Sequence, residues 1–429
     1  MITLDGGGTT RLLYFSSSNF QKTTTKVTLQ NLTLQNGKST GTPIPPAPPP
    51  CSQGITTDGG GAAIFVRDGI LHVWNSTFKN NTGATSGPDV AGGAIYTLGS
   101  VETTIVGSTF ESNRASNGGA IGALFGNLSI YDSHFGSNQA TGSGANSISN
   151  QCRVNEGEIG SGGSGGAVLM DGAENYGVTI CGSTFTSNVA GKGGLGGALF
   201  RTPDGDMQTT TIDRSSFSEN SADLGGALYF HNSNLVVTAS TFANNTAISG
   251  GALFSDSSTL SFTNDTFADN VAKLGLGGSI FLSGNGGPLR NITFLGNQAD
   301  GGSGYFGAAI AGNTTLTITN TLLSYNTTKD CGSPMACSSG SSTGLGNLQW
   351  PTQHIVCPAR DRICTDGTIF RDPKLGALAE NGGPTETIAP LAGSPALGSG
   401  LDCPPTDQRG VMRPVNGCTT GAVEGAIEP

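Results

Sequence analysis

Two short motifs alternate along most of this chain, and they restrict its fold more than any other feature. One is Gly-Gly-Ala-aliphatic: Gly92-Gly93-Ala94-Ile95, Gly118-Gly119-Ala120-Ile121, Gly165-Gly166-Ala167-Val168, Gly196-Gly197-Ala198-Leu199, Gly225-Gly226-Ala227-Leu228, Gly250-Gly251-Ala252-Leu253 and the variant Gly277-Gly278-Ser279-Ile280. The other is Phe-x-x-Asn, at Phe78/Asn81, Phe110/Asn113, Phe135/Asn138, Phe185/Asn188, Phe217/Asn220, Phe242/Asn245, Phe267/Asn270 and Phe294/Asn297, with Leu323/Asn326 as a degenerate last copy. The phenylalanine returns every 25 to 32 residues, apart from one interval of 50 that holds an insert at 142–164. A period of that size marks stacked supersecondary units.

The segments ahead of each Phe define the unit. Leu71-His72-Val73-Trp74, Leu128-Ser129-Ile130-Tyr131, Val178-Thr179-Ile180-Cys181 and Leu260-Ser261-Phe262-Thr263 alternate with a period of two, the signature of half-buried strands. No helix-period pattern separates them, so a βαβ sheet is excluded. Short strands wound into a coil, each hydrogen-bonded to its copy in the next coil, satisfy the backbone except at the ends. The sequence therefore predicts an all-β, single-stranded right-handed parallel β-helix, of about a dozen coils rising roughly 4.8 Å each. The glycine pairs suit turns that need a positive φ or leave no room for a side chain. The Asn, once per coil, suits a ladder of stacked amides inside a turn.

Composition agrees. Glycine supplies 69 of the 429 residues and charged residues only 12%, a balance that fits many short strands and tight turns. The net charge is −10 and there is no basic patch, which excludes nucleic acid as a partner and disfavours polyanionic glycans. No apolar run is long enough to span a membrane. Met1 is followed at once by Ile2-Thr3-Leu4-Asp5, which reads as the middle of a repeat, so the chain is expected to be the mature or truncated form of a longer protein.

Of nine cysteines, six lie in the last hundred residues, neighbouring in sequence as Cys331 and Cys337, Cys357 and Cys364, Cys403 and Cys418. None has zinc or redox spacing, so disulfides formed outside the cell are expected there, with Cys51, Cys152 and Cys181 left without an evident pairing. The β-helix is expected over 1–326, broken by a proline-rich loop at 41–54 and the glycine- and serine-rich insert 142–164. Residues 327–429 are expected to form an irregular, disulfide-containing cap, because an open end exposes strands and apolar surface.

The Gly-Gly-Ala-Ile and Phe-x-x-Asn pair resembles the polymorphic outer-membrane protein repeat of chlamydial and environmental bacterial surface proteins. Glu380-Asn381-Gly382-Gly383-Pro384-Thr385, Gly393-Ser394-Pro395-Ala396, Thr406-Asp407-Gln408-Arg409-Gly410 and Gly421-Ala422-Val423-Glu424 resemble the tail of bacterial surface β-helix proteins with varied cell-wall anchors. Residues 1–429 depart from both patterns, since no stretch of them is expected to form the membrane β-barrel of the first group or the anchor of the second. The resemblance implies a β-helix that is secreted or displayed on the cell surface, and leaves its chemistry open.

Three groups of residues are candidate sites. Residues 201–256 gather Arg201, Asp204, Asp206, Asp213, Arg214, Glu219, His231 and Asp256 on a few successive coils. Asp213, His231, Asp204, Asp206 and Arg214 are the catalytic candidates if the protein is a glycosidase or polysaccharide lyase, reactions that need paired carboxylates or a base with a cation. Solvated turns with surface ion pairs are the competing explanation. The second group is an outward hydroxyl column at Thr104, Ser129, Thr179, Thr211, Ser261 and Thr317, with His72, Trp74 and Tyr131 beside it as a ligand-binding surface for sugar rings. Against it stands the ordinary preference of Thr and Ser for exposed strands. Interruption by Val236 and Asp213 argues against an ice-binding lattice. The third group, the aromatics Phe65, Tyr96, Phe200, Tyr229, Phe254 and Phe281, reads as an internal stack ahead of an exposed stripe. No cofactor or metal is expected. The favoured reading is an adhesin or scaffold for polysaccharide or cell-surface glycan, with the carbohydrate-active enzyme as the alternative.

Overall fold

The computed structural model describes residues 2–17, 24–42, 57–87, 90–142, 163–172, 176–203, 207–301, 307–329, 335–338, 342–355 and 357–426. They form a right-handed parallel β-helix of about ten turns with almost no helix. The chain divides into two units, 1–210 with 219–233 and 211–218 with 234–429, each described by itself.

In the first unit one coil shows the plan. Gly92-Gly93-Ala94 turns into the long strand Ile95–Val106, followed by Thr109–Glu111 and the two-residue strand Arg114–Ala115. Left-handed residues stand at the four corners: Gly92 (φ 72°), Gly99 (φ 69°), Gly107 (φ 58°) and Ser112 (φ 55°). Each strand pairs in register with its copies, so Ile64, Ile95, Ile121, Val168, Leu199 and Leu228 share one column. The glycine pair has two separate causes. Gly92 needs its positive φ, whereas a Cβ on Gly93 would strike the Gly119 carbonyl oxygen of the next coil.

The core follows the same rule. Phe78, Phe110, Phe135 and Phe185 are fully buried and stack with ring centroids 4.7, 4.7 and 4.6 Å apart. In the second unit Phe217, Phe242, Phe267 and Phe294 repeat the stack at 5.1, 4.8 and 4.9 Å. The motif's asparagines form the expected ladder beside the rings. Asn138 Oδ1 accepts both the backbone N–H of Asn113 (3.1 Å) and its Nδ2 (3.0 Å), and Asn138 Nδ2 donates to Asn188 Oδ1 (3.0 Å) and the Phe110 carbonyl (2.9 Å). Asn245, Asn270, Asn297 and Asn326 repeat it in the second unit.

A second ladder was not foreseen. Ser76, Ser108 and Ser133 each accept the serine N–H of the preceding coil or, for Ser76, that of Leu32, and donate to the carbonyl two residues back. In the second unit the series reaches Asp265, whose fully buried carboxylate accepts the Ser240 N–H (2.8 Å) and the Thr263 N–H (2.9 Å). Burial drives its pKa well above the ordinary carboxylate range, against the pull of those two N–H groups.

The coil runs on past Asn326, with Leu348–Trp350 pairing with Leu322–Ser324 and Ile369–Phe370 pairing with Leu348–Trp350. The tail beyond it lies along the outer flank of the second unit's Phe strands. Its hairpin, Leu375–Ala379 with Thr387–Pro390, sets Ile388 on Ala243 and Ala268. Gln408 donates to Thr241 Oγ1 (2.8 Å) and accepts from Thr266 Oγ1 (2.6 Å). The Arg413 guanidinium bonds Asn264 Oδ1 (3.1 Å), the Gly421 carbonyl (2.8 Å) and Glu424 (3.0 Å). Flanking residues such as Ala243 and Ala268 are therefore buried, whereas Lys79 and Glu111 on the first unit's Phe strands are exposed.

Two disulfides with both partners among the described residues hold this region. Cys403 bonds Cys418, but Cys337 bonds Cys364 rather than its sequence neighbour Cys331. The pairing, left open by the sequence, has a geometric cause: Met335–Cys337 and Cys364 come together where Asp361 accepts the Met335 N–H (2.7 Å). Cys357 is also disulfide-bonded. Cys331, like Cys51, Cys152, most of the proline-rich loop and most of the insert, lies outside the described residues.

Candidate functional site

The second half of the long strand builds a flat face on the first unit. Leu71 and Val73 point into the core while His72 and Trp74 point out, and the alternation repeats in Asn127–Tyr131 and Val178–Cys181. Register then sets two outward columns side by side. His72, Thr104, Ser129 and Thr179 occupy one. Trp74, Val106, Tyr131 and Cys181 occupy the other, so the two large rings stand two coils apart with Val106 between them. Both rings are half-buried, anchored in the sheet and reached by solvent.

A polar row crosses this face. His72 Nε2 lies 3.1 Å from Glu102 Oε1, and Thr104 Oγ1 donates to the same oxygen at 2.9 Å. The His72 ring centre is 5.5 Å from that of Trp74, tilted by 33°. The Thr104 hydroxyl does most to hold the Glu102 carboxyl below its usual range, with His72 and the charge of Lys26 adding to it against partial burial. His72 is mostly covered (14% exposed) and Glu102 half exposed (47%), so the carboxylate is the group a ligand would meet. Sequence reasoning missed Glu102, because a bulge opposite Gly69 and Ile70 shifts the register by one residue and brings Glu102 into line with Ile70. Thr211, Ser261 and Thr317 belong to the second unit, where Ser261 pairs with Val236 and Thr317 with Pro288.

Of the catalytic candidates, Asp213 and Arg214 are brought together. Asp213 Oδ2 accepts Arg214 Nε (2.7 Å) and its Oδ1 accepts the Thr238 hydroxyl (2.8 Å), so both oxygens of this carboxylate are engaged. Arg214 occupies the left-handed corner (φ 45°) next to it. Asp213 and Arg214 belong to the second unit and His231 to the first, while Asp204 and Asp206 lie outside the described residues. Arg201, grouped with them from the sequence, is fully buried: it shares the inward column of Met170 and Phe230 and donates to the Tyr176 carbonyl (2.7 Å). Glu219 accepts the Ser187 hydroxyl (2.8 Å) and Asp256 the Ser257 hydroxyl (3.2 Å). No cluster of three or more His, Cys, Asp or Glu that could hold a metal occurs among the described residues.

The third group is corrected in direction. In Leu228–His231 the buried residues are Leu228 and Phe230, so Tyr229 points outward, as do Phe200, Phe254 and Phe281. Phe200 stacks on Tyr229 at 5.4 Å in the first unit, and Phe254 lies 4.7 Å from Phe281 in the second. Phe65 and Tyr96 are covered nonetheless, in an outer cluster with Ala91, Leu124 and Leu169.

The fold is a right-handed parallel β-helix whose described interior holds the ring stack and the side-chain ladders. Residues 197–323 match the right handed beta helix region family, and residues 75–98 match the Chlamydia polymorphic membrane protein repeat. The second match begins at the turn after Trp74 and runs through the first Phe and its ladder asparagine to the next long strand. No curated protein matches the chain. No helix among the described residues is long and apolar enough to cross a membrane.

Proposed function

We propose that this protein is a secreted or cell-surface β-helix that binds polysaccharide along the flat face of its first unit. The observation that carries the reading is the shared outward column of Trp74 and Tyr131 beside the hydrogen-bonded His72–Glu102–Thr104 row. Ring faces supply contact area to a sugar without charge, while the carboxylate and hydroxyls accept and donate to its hydroxyl groups. The Chlamydia polymorphic membrane protein repeat and the disulfides support a location outside the cytoplasm. A hydrolase or lyase centred on residues 201–256 has less support, because the Asp213 carboxylate is tied to Arg214 and Thr238. The test is a polysaccharide pull-down with a parallel assay for released reducing ends. Trp74→Ala and Tyr131→Ala should each weaken binding about tenfold or more with the fold intact, while Asp213→Asn and His231→Ala leave it unchanged. Reducing-end release that disappears in Asp213→Asn would reverse the assignment.

A further inference from the structure

The spacing of the two rings narrows the class of polysaccharide, and this step rests on the glycan-binding reading above. Trp74, Val106 and Tyr131 belong to the coils of Phe78, Phe110 and Phe135, whose stacked rings record the rise of the helix as 4.7 Å per coil. Two such steps separate Trp74 from Tyr131 along the helix axis, with only the smaller Val106 between them. A chain that lies along this column must present the same ring face at that interval. An extended β-1,4-linked chain with a twofold screw does so, since every second sugar faces the same way and the repeat is roughly 10 Å, close to two strand spacings. Chains that coil, such as α-1,4- or β-1,3-glucans, turn their ring faces away from a straight column.

The neighbouring column fits the edges of such a ribbon. His72, Thr104 and Ser129 stand two residues along the strand from Trp74, Val106 and Tyr131, a lateral offset of about 7 Å, comparable with the half-width of a sugar ribbon and its equatorial hydroxyls. Glu102 lies one column further out and half exposed. Its carboxylate accepts hydroxyl hydrogens and repels uronates, as does the net charge of −10. We infer that the first unit binds a neutral, extended β-1,4-linked polysaccharide running parallel to the helix axis, with alternate sugars on Trp74 and Tyr131.

Titration calorimetry with β-1,4-linked gluco- and manno-oligosaccharides of two to six sugars tests this on the intact protein. A trisaccharide is the shortest ligand that reaches both rings, so affinity for the preferred series should rise at least tenfold between two and three sugars. Tyr131→Val should abolish that step. The double change Val106→Tyr with Tyr131→Val puts both rings on adjacent coils, and its affinity should stay at the single-ring level, with circular dichroism and melting unchanged. Parental affinity in the double variant, or equal binding of amylose or a β-1,3-glucan, would overturn the spacing argument and leave glycan binding standing. If the double variant melts early, the length series on the unmodified protein decides alone. Binding of no polysaccharide at all would overturn both.

Discussion

The asparagine ladder makes a quantitative demand on stability that one position can test. The Asn138 side chain takes part in four hydrogen bonds: two accepted from Asn113 and two donated, to Asn188 Oδ1 and the Phe110 carbonyl. Asn138→Ala removes all of them and leaves the buried Asn113 backbone N–H without its acceptor. With a net of about 1 kcal/mol for each of the other three bonds and roughly 1–3 kcal/mol for the stranded buried donor, the expected loss is about 4–6 kcal/mol. Asn138→Asp separates the two halves of the interaction. Its carboxylate can still accept from Asn113, but it has no hydrogen for Asn188 or Phe110, and a charge is now buried. Burial raises the folded-state pKa of that new acid, so the variant is worst at neutral pH. It recovers as pH falls through the folded value toward the unfolded one near 4, where the protonated acid regains one donor. Urea unfolding followed by Trp74 fluorescence in a Trp350→Phe background reports the first unit alone, and the shift in midpoint measures each effect. A cost below about 1 kcal/mol for Asn138→Ala, or an Asn138→Asp protein as stable as its parent at pH 7, would refute the ladder as a source of stability.

Further predictions follow from the second unit. Phe242→Ala empties a fully buried position between Phe217 and Phe267 and should cost about 3–5 kcal/mol in urea unfolding followed by Trp350 fluorescence in a Trp74→Phe background, whereas an unchanged midpoint would contradict the stack. Asp265→Ser should restore the serine ladder without a charge. Because burial raises the Asp265 pKa, the parent loses stability as pH rises above the unfolded value of 3.8, so the advantage of the serine variant should widen from acid to neutral pH; a pH-independent gap would show that the carboxylate is not the cause. Cys403→Ser with Cys418→Ser opens a loop closed over 15 residues and should destabilise the tail by about 3 kcal/mol, and thiol labelling of both residues in the native protein would disprove the bond.

The repeat made most of the coil legible, because a homotypic ladder needs the same residue at the same place in every turn. Phe-x-x-Asn therefore located the ring stack and the amides, and Leu71-His72-Val73-Trp74 correctly separated inward from outward side chains. Features that depend on a break in periodicity were hidden. The aromatic column was expected inside because both it and the Ile/Leu column beside it are apolar, so composition does not tell which of the two faces the core; of its six members only Phe65 and Tyr96 are covered. The bulge that delivers Glu102 is a one-residue shift with no compositional mark. Arg201 was placed on the surface by its charge, although the alternation Leu199-Phe200-Arg201 already pointed it inward. Cys337 found Cys364 through coil geometry, which proximity in sequence does not encode.

The two ladders also bear on how such a chain changes length. Each asparagine offers the coil before it the same acceptor that it takes from the one after, so the face left at any turn is complementary to the start of any other. Duplication or loss of a whole coil by recombination would leave no buried amide stranded, provided the break falls at equivalent corners. Coil number is thus close to neutral for the interior, and a boundary must come from a residue that leaves the series. Asp265 is one such residue, where two N–H donors replace the donor and acceptor of a hydroxyl. Asn347 is another, accepting from Thr321 at the place in the coil where the serine series would have continued. Selection for a longer or shorter protein of this kind would act on those exceptional turns and not on the repeats between them.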